Sequence, residues 1–153
     1  MNLSIRHVPV QYVNQAWPLV EKFIRDAQEY CGDDYTVDQI KVYLATGQWL
    51  LVVATDDEGK IHGASTVSFL NYPNDRVAFI TFIGGKLISN KDTFGQFRDL
   101  LKANGATKIQ GAAREAIARL WSRYGFEERY RIVETKIWKR ITQDVNFTQW
   151  ASR

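Results

Sequence analysis

The sequence predicts a single α+β domain with a mixed central sheet flanked by four helices. Short segments of alternating or continuous apolar residues, separated by tight turns, dominate the first half and indicate antiparallel strands. In the second half, apolar segments with helical spacing alternate with strand-like segments, an order that places neighbouring strands parallel. No repeat, linker or low-complexity stretch interrupts the 153 residues, so we expect one domain with one sizeable core.

The first third of the chain predicts one strand and two helices. Residues 3–8 alternate between apolar and polar side chains, as in a half-buried strand. Residues 13–30 place apolar side chains on one helical face, and we expect Pro18 in the first turn, where a missing N–H is harmless. Thr36 and Gln39 have the spacing of a capping box and predict the start of the second helix.

Three strands joined by tight turns are expected next. The predicted strands are residues 49–55, 60–70 and 76–83, and the predicted turns are residues 56–59 and 72–75. The first of these strands is continuously apolar, which predicts burial on both of its faces. The third strand is expected to end at Gly84 and Gly85.

The remaining chain predicts two helices, each followed by extended chain. The elements are a helix that Ser89 or Asn90 caps and that runs to Asn104, a strand at residues 108–112, a helix from Glu115 to Gly125, and residues 129–141 as one long strand or two short ones. We therefore expect the domain to span residues 1–141. Residues 142–153 are mostly polar and are expected to form a C-terminal tail.

The composition argues against several functional classes. The chain has 20 basic and 17 acidic residues, a net charge of +3, without the basic clusters typical of nucleic-acid binding, so no nucleic-acid partner is expected. Cys31 is the single cysteine, which excludes an internal disulfide, and its acidic neighbours favour a packing role over a nucleophilic one. With only two histidines besides, we expect no metal site.

The apolar segments also bear on location. The N-terminus lacks a basic segment followed by an apolar run, the pattern of a signal peptide. No apolar stretch approaches the roughly 18 residues that a membrane-spanning helix needs. These features predict a cytoplasmic protein with no membrane partner.

Residues 115–130, read as EAIARLWSRYGFEERY, carry a resemblance to a known family. They resemble the helix-to-strand unit, A-I-x-x-Y-x-x-x-G-F, that closes the acyl-CoA-binding half of GNAT-type N-acetyltransferases. Gly63 lies in the hairpin strand where these proteins often carry a glycine, and the element order is similar over residues 5–137. The resemblance implies a GNAT-like domain with a splayed parallel pair of strands in the middle of the sheet. It also implies an acyl-CoA-dependent N-acetyltransferase, with acetyl-CoA and an amine acceptor as its partners.

The resemblance also assigns a cofactor site. In the family, backbone groups between the splayed strands pair with the pantetheine arm, and a glycine-rich loop presents amide groups to the pyrophosphate. The residues at the corresponding places, which the resemblance assigns to acetyl-CoA binding, are Phe82, Ile83, Gly84, Gly85, Lys86, Ser89, Asn90, Lys91 and Arg114.

The loop departs from the family pattern. Ser89 and Lys91 stand where the family has glycines, and the glycines that do occur, Gly84 and Gly85, come several residues earlier. Two interpretations remain open. The helix N-terminus between Lys86 and Lys91 binds an anion, or the segment is a strand end with two solvated lysines.

The catalytic groups are also altered. Trp121 stands where many of these enzymes carry a tyrosine that protonates the leaving thiolate, and an indole N–H is too weak an acid for that task. Tyr124 lies three residues later and is a candidate replacement, with a core aromatic as the alternative. The apolar strand at residues 76–83 contains no carboxylate, so His62 is the candidate base, with a surface or packed histidine as the alternative.

A narrower resemblance links the chain to short GNAT-like proteins encoded by tailed bacteriophages. The shared features are the turn at Tyr72–Pro73, the strand end at Gly84–Gly85, and Arg114 followed by Trp121, Gly125 and Phe126. Three functions therefore stay open: a divergent acetyltransferase, a non-catalytic virion-associated or host-interaction protein with phage structural or host proteins as partners, and an acyl-CoA sensor without turnover. The second function would place the protein in the virion.

Overall fold

The computed structural model describes residues 2–30 and 34–138, which form one mixed sheet with helices on both of its faces. The elements are β1 (Ser4–Val8), α1 (Val13–Gln28), α2 (Val37–Ala45), β2 (Leu50–Thr55), β3 (Ile61–Asn71), β4 (Arg76–Gly85), α3 (Lys91–Ala103), β5 (Lys108–Gly111) and α4 (Glu115–Trp121). The predicted α+β class is confirmed. Cys31 and the predicted tail lie outside the described residues.

The strands lie in the order β1-β2-β3-β4-β5. The first three pairs are antiparallel, and β4 and β5 are parallel. The hairpin connections in the first half and the α3 crossover before β5 produce this arrangement, as the sequence predicts. The parallel pair lies at one edge of the described sheet rather than in its middle.

The sheet separates two apolar cores. Leu51 and Val53 of β2 face α1 and α2, whereas Val52 and Ala54 face the opposite side, where α3 packs through the fully buried Phe97. Because side chains alternate along a strand, only a strand with both faces covered has such a continuous apolar run. The predicted burial of this strand on both faces is confirmed.

Helix α2 begins as its sequence predicts. The Thr36 hydroxyl accepts a hydrogen bond from the Gln39 backbone N–H at 3.2 Å, and the Gln39 side chain accepts one from the Thr36 N–H at 2.9 Å. This reciprocal pair satisfies two of the amide groups that a helix leaves unpaired at its start.

The predicted place of Pro18 is wrong. A single 3-10 turn at Val10–Tyr12 precedes α1, and α1 starts at Val13, so Pro18 is its sixth residue and lies in the second turn. A proline there cannot donate the helical hydrogen bond to the carbonyl of Asn14. The predicted start at residue 13 is confirmed, but Pro18 is too far from that start to lie in the first turn.

The predicted strand at residues 129–141 is wrong over residues 129–138, and its last three residues lie outside the described part. Helix α4 has seven residues, a 3-10 turn at Ser122–Tyr124 follows, and Gly125 ends it with φ +91°. Beyond it, Ile132 is 80 % exposed and Ile137 is 89 % exposed. Alternation of apolar residues predicts a strand only when a neighbouring strand pairs with it. No described strand pairs with the outer edge of β5.

No helix in the described part of the chain is long and apolar enough to cross a membrane.

Candidate functional site

Strands β4 and β5 pair over only part of the length of β4. The parallel register runs from Val77 opposite Lys108 to Ile80 opposite Gly111. Strand β4 then continues to Gly85. On the β5 side, the backbone from residue 81 onward therefore has no strand partner among the described residues, and the two strands splay as predicted.

A β-bulge at Thr81 marks the start of this divergence. Thr66 of β3 is opposite Phe82 and Val67 is opposite Ile80, which leaves Thr81 as an extra residue in β4. The Thr81 hydroxyl donates a hydrogen bond to the Thr66 carbonyl oxygen at 2.9 Å and lies 2.6 Å from the Thr66 hydroxyl. A bulge bends its strand and increases the local twist. The bulge thus gives a physical reason for the separation of β4 from β5.

A cleft of about 320 Å³ lies between the end of β4 and the chain that follows β5. Its apolar wall includes Ile80, Phe82, Ile83, Ile88, Ile117 and Trp121. Its polar groups include Asp26 in the last turn of α1, Tyr30 two residues beyond the end of α1, the bulged Thr81, and Arg114 at the start of α4. An apolar cleft with a few convergent polar groups is the usual form of a small-molecule site.

Gly84 and Gly85 line the cleft and also permit α1 to cross the end of β4 closely. A Cβ atom at Gly84 would lie 2.5 Å from the Phe23 carbonyl oxygen. At Gly85, where φ is +67°, a Cβ atom would overlap the His62 carbonyl oxygen and lie 2.8 Å from the Phe23 ring. Packing therefore accounts for both glycines without reference to a ligand.

Arg114 and Tyr30 meet across one end of the cleft. The Arg114 guanidinium carbon lies 4.3 Å from the centre of the Tyr30 ring. Such a stack attracts the cation to the negative face of the ring. It connects the C-terminal end of α1 with the start of α4, the two elements that flank the gap between the splayed strands.

The predicted cofactor residues divide into two groups. Phe82, Ile83, Gly84, Gly85 and Arg114 line the cleft. The other four, in the loop before α3 and at its first residue, do not line it: Lys86, Ser89, Asn90 and Lys91, all exposed. Asn90 caps α3 by accepting a hydrogen bond from the Thr93 N–H at 2.9 Å, so the second of the two predicted caps is present.

Tyr124 lies away from the cleft. It lines a second cavity, of about 850 Å³, between α3, β5 and the turn after α4. Its ring stacks on Phe94 with the ring centres 5.1 Å apart. This position does not bring the Tyr124 hydroxyl to the splayed strands, where the predicted acid would act.

His62 belongs to the β2–β3 hairpin rather than to the cleft lining. Its Nε2 lies 2.8 Å from the Asp56 carboxylate, whose other oxygen accepts hydrogen bonds from the backbone N–H groups of Glu58 and Lys60. The hydrogen bond from His62, followed by that from Lys60, lowers the pKa of Asp56 below its usual value. Asp56 thus organises the turn, and His62 completes its set of partners.

This network predicts a specific pH dependence of stability. The lowered pKa of folded Asp56 adds stability above the pKa of an unfolded aspartate, about 3.9, and that stability is lost as the pH falls through the lowered folded value. We expect Asp56→Asn to lower the unfolding temperature at neutral pH and to weaken its decline below about pH 4. Unfolding scans from neutral to acidic pH test this. The exposed neighbour Asp57, changed to Asn, is the control, and parallel curves for Asp56→Asn and the wild type would contradict the assignment.

Sequence reasoning missed the contribution of α1 to the cleft. In the predicted helix at residues 13–30, Asp26 and Tyr30 are four residues apart, the spacing that places two side chains on one helical face, although α1 itself ends at Gln28. That spacing was the available signal, but nothing local indicates that this face crosses the end of β4. No group of three His, Cys, Asp or Glu side chains suited to a metal ion occurs in residues 2–30 and 34–138.

The fold and the splayed cleft define a protein with the GNAT acetyltransferase fold, as solved structures show. The aminoglycoside 6'-N-acetyltransferase AAC(6')-Ih of Acinetobacter baumannii aligns with a TM-score of 0.60 and 17 % identity over 92 % of this chain and 100 % of that one. An aminoglycoside acetyltransferase from an uncultured soil metagenomic sample aligns with a TM-score of 0.61 and 17 % identity over 90 % and 99 % of the two chains.

A third structure was solved with acetyl-CoA. It is described as a predicted acetyltransferase of Clostridium acetobutylicum, and it aligns with a TM-score of 0.59 and 16 % identity over 89 % of this chain and 97 % of that one. No protein-family model matches the sequence, and no curated protein matches it. At these identities the likeness concerns the fold, and the function has to be argued from the site.

Proposed function

We propose that the protein is a divergent N-acetyltransferase that binds an acyl thioester, such as acetyl-CoA, in the cleft between β4 and β5. The observation that carries the proposal is the unpaired backbone edge of β4 beyond the Thr81 bulge, which faces an apolar cleft. A pantetheine arm has amide groups that can pair with a strand edge, as an added strand does. The apolar walls suit the methylene groups and the acyl group.

Asp26 supports acceptance of an amine in this cleft. Asp26 is an exposed residue that lines the cleft, and it forms no ion pair with the described residues. A carboxylate there attracts an ammonium group and can accept a proton as the neutral amine attacks the thioester carbonyl carbon. The carbon–sulfur bond then breaks, and the thiolate takes a proton from the Tyr30 hydroxyl, which solvent replaces. These roles replace those first expected of His62 and Tyr124, which lie elsewhere.

The test is thiol release from acetyl-CoA with a panel of primary amines. We expect amine-dependent release, and Asp26→Asn should lower kcat/KM by about 10²-fold, the lower end of the range for general bases. Asp57→Asn, an exposed carboxylate on the hairpin, is the control and should leave kcat/KM unchanged. Full activity in Asp26→Asn would exclude Asp26 as the base. Absence of release with every amine would contradict catalysis and favour an acyl-CoA sensor.

A second candidate function is that of a non-catalytic phage virion-associated or host-interaction protein. It is supported by the apolar side chains that the segment after α4 exposes: Tyr130, Ile132, Val133, Ile137 and Trp138. Exposed apolar groups of this density mark interaction surfaces. A triple change to serine of Ile132, Val133 and Ile137 should then abolish co-sedimentation with phage particles without lowering the unfolding temperature. Unchanged co-sedimentation would count against this function.

A further inference from the structure

The N-terminus of α3 is partly capped by its own side chains. The Thr93 hydroxyl oxygen accepts hydrogen bonds from the backbone N–H groups of Ser89 and Asn90 at 3.0 and 3.1 Å, and Thr93 is 1 % exposed. The Thr93 N–H in turn donates to the Asn90 side chain at 2.9 Å. Amide groups at a helix start bind phosphate when they are free. Here the N–H groups of Ser89, Asn90 and Thr93 already have partners inside the protein, whereas those of Lys91 and Asp92 have none among the described residues.

Two further features oppose a phosphate at this loop. The Lys86 N–H donates to the His62 carbonyl oxygen at 2.9 Å, so the loop is bonded to the β2–β3 hairpin at its start. Asp92 lies in the first turn of α3, where its carboxylate accepts a hydrogen bond from Gln96 at 3.0 Å. A carboxylate in the first turn occupies the position that an anionic ligand would otherwise favour.

We propose, on the basis of the proposed function, that the donor is recognised through its S-acyl pantetheine arm and that the nucleotide phosphates add little affinity. The splayed strands offer the arm a backbone edge and apolar walls. Three amide groups of the loop and the helix start are already bonded, and Asp92 places a carboxylate beside the free amide groups of the first turn of α3. The donor class is therefore any S-acyl pantetheine, whether it ends in the nucleotide of CoA or is attached to a carrier protein.

The direct test compares three ligands by calorimetry on the wild-type protein: acetyl-CoA, S-acetylpantetheine and adenosine 3',5'-bisphosphate. We expect the two thioesters to bind with dissociation constants within about threefold of each other, and no competition from the bisphosphate at millimolar concentration. One charge-assisted hydrogen bond to a phosphate is equivalent to about tenfold in affinity. Acetyl-CoA that binds tenfold more tightly, or a competing bisphosphate, would overturn the inference while supporting the proposed function. If neither thioester binds, both fail.

The variant Thr93→Val tests whether the Thr93 hydroxyl is the reason that the phosphates add little affinity. Valine keeps the branched shape of threonine and removes the hydroxyl that occupies the Ser89 and Asn90 amide groups. We expect the affinity for acetyl-CoA to rise by about tenfold and that for S-acetylpantetheine to stay unchanged, with Thr93→Ser, which keeps the hydroxyl, like the wild type. An equal change for both ligands, or none, would overturn the assignment of Thr93. The wild-type comparison needs no variant and remains decisive if Thr93→Val does not fold.

Kinetic measurements distinguish the two sources of the pantetheine arm, CoA and a carrier protein. The kcat/KM for acetyl-CoA is compared with that for the same acyl group on the phosphopantetheine arm of a carrier protein, which presents the arm without a nucleotide. Turnover with either donor supports recognition through the arm. Turnover that requires the nucleotide, with none from the carrier protein or from S-acetylpantetheine, would overturn it.

Discussion

Gly85→Ala is expected to lower the free energy of unfolding by about 2–5 kcal/mol. The left-handed conformation disfavours a side chain by about 1–2 kcal/mol, and forcing an atom into a packed region adds about 1–3 kcal/mol. Both costs apply at Gly85, because its φ is +67° and an added Cβ atom would overlap the His62 carbonyl oxygen. For a chain of this length we expect the unfolding temperature to fall by about 4–20 °C.

Gly59→Ala separates the two causes. Gly59 also has positive φ, +82°, but an added Cβ atom there would meet no heavy atom within 4 Å. Gly59→Ala should therefore lower the free energy of unfolding only by the cost of the left-handed backbone conformation, about 1–2 kcal/mol. Chemical unfolding of both variants gives the comparison. Equal losses of unfolding free energy in the two variants would show that the close packing of α1 over the end of β4 does not contribute to the cost of Gly85→Ala.

Trp121→Ala is expected to cost about 3–5 kcal/mol of stability, as for other buried aromatic residues. Trp121 is 6 % exposed, packs with its ring centre 5.2 Å from that of Phe126, and sits against Gly111, where a Cβ atom would lie 2.9 Å from the indole ring. Native domains have only about 5–15 kcal/mol of stability in total. Such a loss is readily measured by chemical unfolding.

The same change should alter the preferred donor. The indole ring of Trp121 forms part of the cleft wall, so its removal enlarges the space next to the splayed strands. We expect Trp121→Ala to raise kcat/KM for a butyryl thioester relative to an acetyl thioester, and Trp121→Phe to keep the wild-type preference. Loss of stability without any change in this preference would contradict the place of Trp121 beside the acyl group.

The parts of the fold that the sequence predicts well are those set by local interactions. The Thr36 capping box needs only two residues three apart, and the buried β2 needs only a continuous apolar run. The strand prediction for residues 129–138 fails because it depends on an interaction that is not local. Its alternating pattern fits a strand, but a strand also needs a neighbour, and that requirement is not local.

The site is less predictable than the fold because tertiary packing creates it. The sequence indicates which strand end and which arginine lie near the cleft, through Gly84 and Arg114. It does not show the Thr81 bulge, whose indirect sign is a pair of polar residues, Ser65 and Thr66, that are fully buried in β3. Nor does it show that α1 brings Asp26 to the end of β4, a contact between segments more than fifty residues apart.

Thermal unfolding with and without acetyl-CoA tests most directly whether the cleft between β4 and β5 binds an acyl thioester. Ligand at about 100 times its dissociation constant should add about 2.7 kcal/mol, or about 5–10 °C for this length. Arg114→Ala should reduce the shift, measured against its own ligand-free baseline. Arg98→Ala, which removes the same charge at the other cavity, should retain it. A shift with this pattern supports binding of an acyl thioester in the cleft between β4 and β5. No shift at millimolar acetyl-CoA, or a shift lost only in Arg98→Ala, would contradict it.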